Sequence, residues 1–256
     1  MSSAADTRQA RQYDGEAVER LAARWQLPAV HVYDAVGSTL DVAHALAPNA
    51  ASGTLVIANE QTAGRGRHGR RWTSAPGAGV WLTLIERPAD ARALDVLALR
   101  CGLYAAECLD DLAGTAVRVK WPNDLHIGDG KLAGILIETR WRGTAPEWVA
   151  IGFGLNVVAP DVATGAGLSA GASRIDALDR LVPALRRAAS ASRHLSEGEL
   201  ARWRERDLAI GRLIDEPARG VVHGISSTGD LLVSTDGRVS AHRSGSLTFA
   251  EPFSCS

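Results

Sequence analysis

With 256 residues, 46% of them hydrophobic and 22% charged, the chain can build one sizeable core plus a small appendage. Its formal net charge of -1 excludes a protein that coats nucleic acid or anionic lipid over its whole surface, so any anion site must be local. Residues 1–16 contain no apolar signal region and no stretch is long enough to span a bilayer. The three cysteines lack metal spacing, and a reducing cytoplasm fits best.

In chain order, residues 1–14 read as a disordered leader. Gly15 to Gln26 has helical spacing (Val18, Leu21, Ala22, Trp25) and stops before Pro28. One amphipathic helix is too little for a winged-helix or helix-turn-helix module, so no DNA binding is expected. His31 to Val36 reads as a strand broken by Gly37-Ser38-Thr39. Ser38 or Thr39 can cap a helix running to Ala47, or can line a pocket at the strand-to-helix turn.

Strands are expected at 54–60 and 79–86. Leu94 to Leu112 is the longest helical pattern, apolar on most faces and therefore buried under a sheet. Val117 to Trp121 alternates as a strand that Pro122 ends. The runs 123–127 and 131–138 flank Gly128-Asp129-Gly130, a good hairpin signal. Trp148 to Gly154 is a further strand. Residues 159–174 are rich in Ala, Gly, Ser and Thr without periodicity, which marks a lid candidate. Helices are expected at 176–193 and 197–207, and short strands from Gly211 read as a small β-barrel of about 45 residues. The class is α+β, with a mixed, mainly antiparallel sheet. Expected domains are 1–209, with the binding and catalytic residues, and 210–256.

The densest chemistry lies in Gly64-Arg65-Gly66-Arg67-His68-Gly69-Arg70-Arg71-Trp72, where four arginines and three glycines share nine positions. Such arginines repel one another unless an anion sits among them, and glycines bring bare N–H groups close to a ligand. At about 4 Å and an effective dielectric near 20, each charge pair is worth about 4 kcal/mol before desolvation. The glycines match G-x-G-x-x-G, but Val80 to Ile85 is a strand pattern where a dinucleotide fold needs a helix. A solvated basic loop and an RNA-binding loop are the competing readings. One local patch and too few aromatics for base stacking weigh against RNA.

Together with Lys120-Trp121-Pro122-Asn123-Asp124, Lys131-Leu132-Ala133-Gly134-Ile135-Leu136 and Gly152-Phe153-Gly154-Leu155-Asn156, this loop resembles the catalytic core of biotin protein ligases. The likeness runs from about Val36 to Asn156, and the last 45 or so residues have the place of that family's SH3-like β domain. It implies a class II synthetase-like core that joins biotin to ATP as biotinyl-5′-AMP. The biotinyl group then passes to a lysine of a biotin carboxyl carrier protein. A homodimer is a further possibility by the same resemblance.

By motif position, the resemblance implies that Lys131 contacts the biotin carboxylate and the α-phosphate, and that Arg65 and Arg67 enclose the adenylate. Ser38, Thr39 and Gln61 face the ureido ring, with Gly64 and Gly134 on the same biotin side. Arg70, Lys120, Asn123 and Asn156 fall on the ATP side, and Trp72 stacks on adenine or on the biotin rings. Asp124 is the candidate carboxylate for Mg²⁺.

Three departures stand out: Leu40 replaces the family's Asn, residues 159–174 hold no tryptophan, and Gly245-Ser246-Leu247 lacks the usual acid. A lipoate or octanoate ligase is the nearest alternative within the same superfamily. Without ligand, 64–72 and 159–174 are expected to be mobile.

Overall fold

The structure, a computed structural model, describes residues 9–88, 90–191 and 193–250. Three short strands, β1 (Gln9–Ala10), β2 (Gln12–Tyr13) and β3 (Glu16–Ala17), lead into α1 (Val18–Arg24). The expected disordered leader is therefore ordered from Gln9 onward, while residues 1–8 lie outside the described residues. The cause is tertiary. β1 pairs antiparallel with the strand at 30–36, and Tyr13 is buried with the Arg174 guanidinium 4.5 Å from its ring centroid. Arg174 also binds Asp14 and Asn59. The helix is shorter than its periodicity suggests because residues 16–17 pair with 12–13 instead.

β4 (Val30–Val36), α2 (Thr39–Leu46) and β5 (Thr54–Gln61) form a strand–helix–strand unit whose strands are parallel. β6 (Gly79–Glu86) follows, then α3 (Leu94–Ala113), β7 (Arg118–Lys120), β8 (Asp124–Ile127), β9 (Gly130–Arg142) and β10 (Ala145–Asn156). The large sheet has the order β1-β4-β5-β6-β10-β9-β8-β7, antiparallel apart from β4–β5. α4 (Arg174–Ser190) and α5 (Glu197–Arg206) precede the small sheet. α4 starts earlier than expected because Ser173 and Asp176 form a capping box that satisfies its first N–H groups.

Alternation along the strands sends side chains to two faces. Val32, Leu55, Ile57 and Leu84 join the larger core together with α3 and α4. Tyr33, Val56, Ala58 and Ile85 face the other way and pack with Ala43 of α2 and Ala47 at its C-cap. Each fully buried leucine or isoleucine contributes about 2 kcal/mol, so α3, apolar on most of its circumference, is held as a buried element between sheet and helices. The buried pair Arg100–Glu199, at 2.7 Å, ties it to α5.

The expected SH3-like region is a five-stranded antiparallel sheet of β11 (Leu213–Glu216), β12 (Gly220–Ile225), β13 (Leu231–Thr235), β14 (Arg238–His242) and β15 (Thr248–Phe249). It is docked on the large sheet's edge, where Trp121 Nε1 donates to the carbonyl of Gly229 at 3.0 Å.

His126 on β8 gives this edge a pH dependence. Burial pushes its imidazole down to about 4 from the usual 6.5, with Asp124 opposing and Lys120 and Lys131 adding. Between those two values the unfolded chain binds a proton that the folded chain refuses, so stability falls as pH falls through this window. The loss is about 3 kcal/mol by pH 4. Urea titrations at several pH values should show it, and His126→Gln should flatten that acid limb.

Candidate active site

A cavity of about 290 Å³ opens on the side of the sheet that carries α2. Among the described residues lining it, six cations (Arg65, Arg67, Arg70, Arg71, Lys120 and Lys131) face one carboxylate, Asp124. The rest of its wall is apolar or hydroxylic, apart from the amides of Gln61 and Asn123 and the imidazole of His68. The structure therefore gathers residues from four separated sequence stretches, the basic loop among them, with Arg67 half-buried and Arg65, Arg70 and Arg71 exposed.

The loop is a closed turn rather than an open strap. Gly66 N donates to Arg70 O at 2.7 Å and Trp72 N to Gly64 O at 2.9 Å. Its base closes so tightly that a Cβ on Gly64 would lie 2.6 Å from Trp72 O, so only glycine fits there. Gly64 itself sits at the base of the loop and does not line the cavity.

Trp72 is held by a shelf that no linear motif reveals. Gly134 of β9 and Gly154 of β10 are paired in register, and the indole lies across both. A Cβ at Gly154 would meet the ring at 2.7 Å, and one at Gly134 at 3.1 Å. Lys131 Nζ stands 5.3 Å from the same ring's centroid, at a distance where a cation is attracted to the π face.

Lys131 is anchored through its backbone. Its N–H donates to Thr164 O at 2.7 Å, and its carbonyl accepts from Ala166 N and from Asn156 Nδ2. The segment 159–174 thus adds a backbone contact to β9, and Asn156 stands behind the cavity wall as a brace rather than in its lining. The ammonium is 2.8 Å from Asp124 Oδ1.

That pairing bears on the Mg²⁺ expectation. Asp124 is already taken by Lys131, Arg67 and Lys120 are further cationic neighbours, and no cluster of three metal-ligating side chains exists among the described residues. Asp124 is the counter-ion of Lys131 here, a single carboxylate that would need phosphate oxygens to complete an Mg²⁺ shell.

Burial holds the Arg67 guanidinium below its ordinary value, with Asp124 opposing and Arg70 adding. Burial likewise lowers Lys120, against Asp124 and with Lys131, Arg212 and Arg70. Both cations lack sufficient negative charge, which an anionic ligand would supply. Asn123 braces the region by donating to Ile135 O at 2.7 Å and accepting from Arg67 at 3.4 Å.

At the other end, Ser38 caps α2 and accepts from Leu40 N. Thr39 donates to Gln61 Oε1 from both N and Oγ1, at 2.9 and 3.1 Å, and Gln61 Nε2 donates to Ser74 Oγ. Thr83, fully buried on β6, donates to Thr39 Oγ1 at 2.8 Å. Gln61 is therefore mostly satisfied inside the protein, with one amide hydrogen left over. Leu40, in place of the expected amide, packs against Gly152 and makes this wall apolar.

Sequence reasoning missed Thr83, Ser74, and the small sheet's contribution. Ser246 and Leu247 line the cavity, and the Phe249 ring lies 5.1 Å from Lys120 Nζ. Thr83 carried a faint signal, a lone hydroxyl in the apolar run Val80 to Ile85. The others carried none, because their contacts join distant parts of the chain.

The Biotin/lipoate A/B protein ligase family model matches residues 35–156. The bifunctional ligase/repressor BirA of Escherichia coli is 36% identical over 214 residues, covering 77% of this chain and 66% of its own length. The chain thus spans about two thirds of that relative. A biotin–[acetyl-CoA-carboxylase] ligase of Mycobacterium tuberculosis is 32% identical over 204 residues, covering 73% of this chain and 75% of its own. In fold, the biotin protein ligase of Aquifex aeolicus, solved with biotin and ATP, superposes with a TM-score of 0.74 at 23% identity, over 88% of this chain and 100% of that one. A cation-lined cavity on this sheet, with relatives of this extent, places the chain in the Biotin/lipoate A/B protein ligase family, among its biotin protein ligases.

Proposed function

We propose that this chain activates biotin with ATP to biotinyl-5′-AMP and transfers the biotinyl group to a lysine of a biotin carboxyl carrier protein. The observation that carries this reading is the cavity's two-ended chemistry, six cations against one acid at one end and a hydroxyl–amide chain at the other. Similarity to a relative named as a biotin–[acetyl-CoA-carboxylase] ligase supports it.

In the first step a carboxylate oxygen of biotin attacks the α-phosphorus and the bond to pyrophosphate breaks. Two anions must approach, so positive charge and alignment supply most of the rate. Lys131 stands between the two ends and is the residue assigned to both anions, with Arg65, Arg67, Arg70 and Lys120 around it. In the second step the carrier lysine's amine attacks the acyl carbon and AMP leaves. No protein nucleophile is needed.

At the ureido end, the Ser38 O–H has no partner among the described residues and the remaining Gln61 N–H is available. These are two donors suited to a urea carbonyl, and the free lone pair of Thr39 accepts a ring N–H. Leu40, Gly152 and Phe153 offer the apolar rings a dry wall. Residues 1–209 are assigned to this catalytic unit and 210–256 to the small β unit. A cytoplasmic setting and pairing of two copies through sheet edges belong to the same reading.

Pyrophosphate exchange into ATP tests it, with biotin, lipoate, octanoate or no acid present. Exchange with biotin is expected. Exchange only with lipoate or octanoate would reassign the substrate, and none with any acid would remove the adenylation reading. Closure of 64–72 and 159–174 on the adenylate is expected to appear as protection from protease nicking when biotin and ATP are both added.

The shelf gives a further prediction. Gly154→Ala would push the Trp72 indole off β10, at a stability cost of about 1–3 kcal/mol. Affinity for the adenylate should fall at least about tenfold. Calorimetry with a non-hydrolysable adenylate analogue, beside a melting curve, separates the two effects.

A further inference from the structure

Arg65 lines the cavity, yet the groups that hold it lie outside the cavity on two other elements. Asp41 Oδ1 of α2 takes one guanidinium nitrogen at 2.6 Å, and Glu138 Oε1 of β9 faces another at 3.5 Å. The second oxygen of Glu138 lies 2.8 Å from His44 Nε2. His44 Nδ1 in turn lies 3.0 Å from Nε1 of the buried Trp148.

An indole N–H can only donate, so Nδ1 of His44 must accept and carries no proton. The single proton of a neutral imidazole is then on Nε2, and it is donated to Glu138. An imidazolium would set two N–H groups against each other at the Trp148 end. One tautomer therefore runs the whole chain: Trp148 donates to His44, His44 donates to Glu138, and Glu138 receives Arg65 from its other oxygen. Glu138 sits in β9 seven residues beyond Lys131, and its backbone pairs with Ala150 of β10, so this acceptor is fixed to a paired strand of the sheet.

We infer that Glu138, oriented by a neutral His44 that Trp148 locks in one tautomer, is a positioning residue that fixes the Arg65 guanidinium over the acid-binding end of the cavity. The inference rests on the reading of the cavity as a biotin-adenylation site. Asp41 alone would leave the guanidinium free to swing about its one contact. The second acid, itself hydrogen-bonded from behind, removes that freedom and sets where the positive charge stands when a carboxylate arrives.

Glu138→Gln keeps the shape and removes the charge. It should raise KM for biotin about fivefold, the upper end for a partly exposed pair, with a smaller change in kcat and in KM for ATP. His44→Gln, which keeps a donor at the Nε2 position, should behave like wild type, whereas His44→Phe should share the defect. A double-mutant cycle decides whether the effect passes through Arg65. In an Arg65→Ala background Glu138→Gln should cost nothing further, and an equal loss in both backgrounds would overturn the assignment. Independently of activity, the ligand-free Glu138→Gln protein should be cut faster by trypsin within 64–72. An unchanged cutting rate would refute the hold of Glu138 on Arg65. A wild-type chain inert toward biotin would instead sink the adenylation function itself, and the trypsin result would still judge this contact.

Discussion

Lys131→Ala is expected to lower biotin-dependent pyrophosphate exchange by about 10³-fold, the scale seen when a preorganised charge stabiliser is deleted. The physical reason is the meeting of two anions. A biotin carboxylate and an ATP α-phosphate approach only where positive charge already stands, and Lys131 is the cation placed against both Asp124 and the Trp72 face.

The substitution should leave the fold intact, because the residue is held by its main chain. Thr164, Ala166 and Asn156 bind its backbone groups and are untouched by truncation at Cβ. The lost contact to Asp124 is partly solvated and should change stability by no more than about 1 kcal/mol. Circular dichroism and a melting curve must accompany the exchange assay. A variant that is folded and still exchanges within tenfold of wild type would show that Lys131 does not bring the two anions together.

Arg67→Gly is expected to separate making the intermediate from keeping it. Arg67 is partly buried, starts the short turn at Arg67–Gly69, and its guanidinium hydrogen-bonds to Asn123 at 3.4 Å. Its charge is disfavoured by burial and therefore gains when an anion arrives. Removing it should leave adenylate formation measurable, since Lys131 remains. The loss of one or two charge-assisted hydrogen bonds should speed release of the adenylate by about 10- to 100-fold.

Rapid gel filtration after reaction with labelled biotin would read the retained fraction, and labelling of exposed lysines on a bystander protein would report what escaped. Retention equal to wild type would show that the loop does not enclose the intermediate.

Much of the molecule was legible one stretch at a time. The strand at 79–86 and the helix beginning at Leu94 were plain from apolar runs. So was the hairpin across Gly128-Asp129-Gly130, because periodicity and turn chemistry act locally. The first structured residues were not legible. Gln9 to Asp14 are polar and short, and they order only because β4 offers an edge and Arg174 offers a guanidinium to Tyr13. The partner of Asp124 was not legible either, because only the register of β8 and β9 brings Lys131 within 2.8 Å of it.

By itself the amino-acid order determined the chemistry on offer: four arginines and three glycines in nine positions, two further lysines, and a pair of hydroxyls after a strand. It determined the element types as well, since hydrophobic spacing and turn residues act over a few neighbours. Only the tertiary structure decided what each side chain touches. Pairing of Gly134 with Gly154 made a shelf for Trp72, stacking of β6 beneath α2 brought Thr83 to Thr39, and the run of β9 past α2 carried Glu138 to Arg65 and His44. These contacts link residues 20 to more than 70 positions apart, and such closeness comes from sheet order and register, which no local pattern specifies.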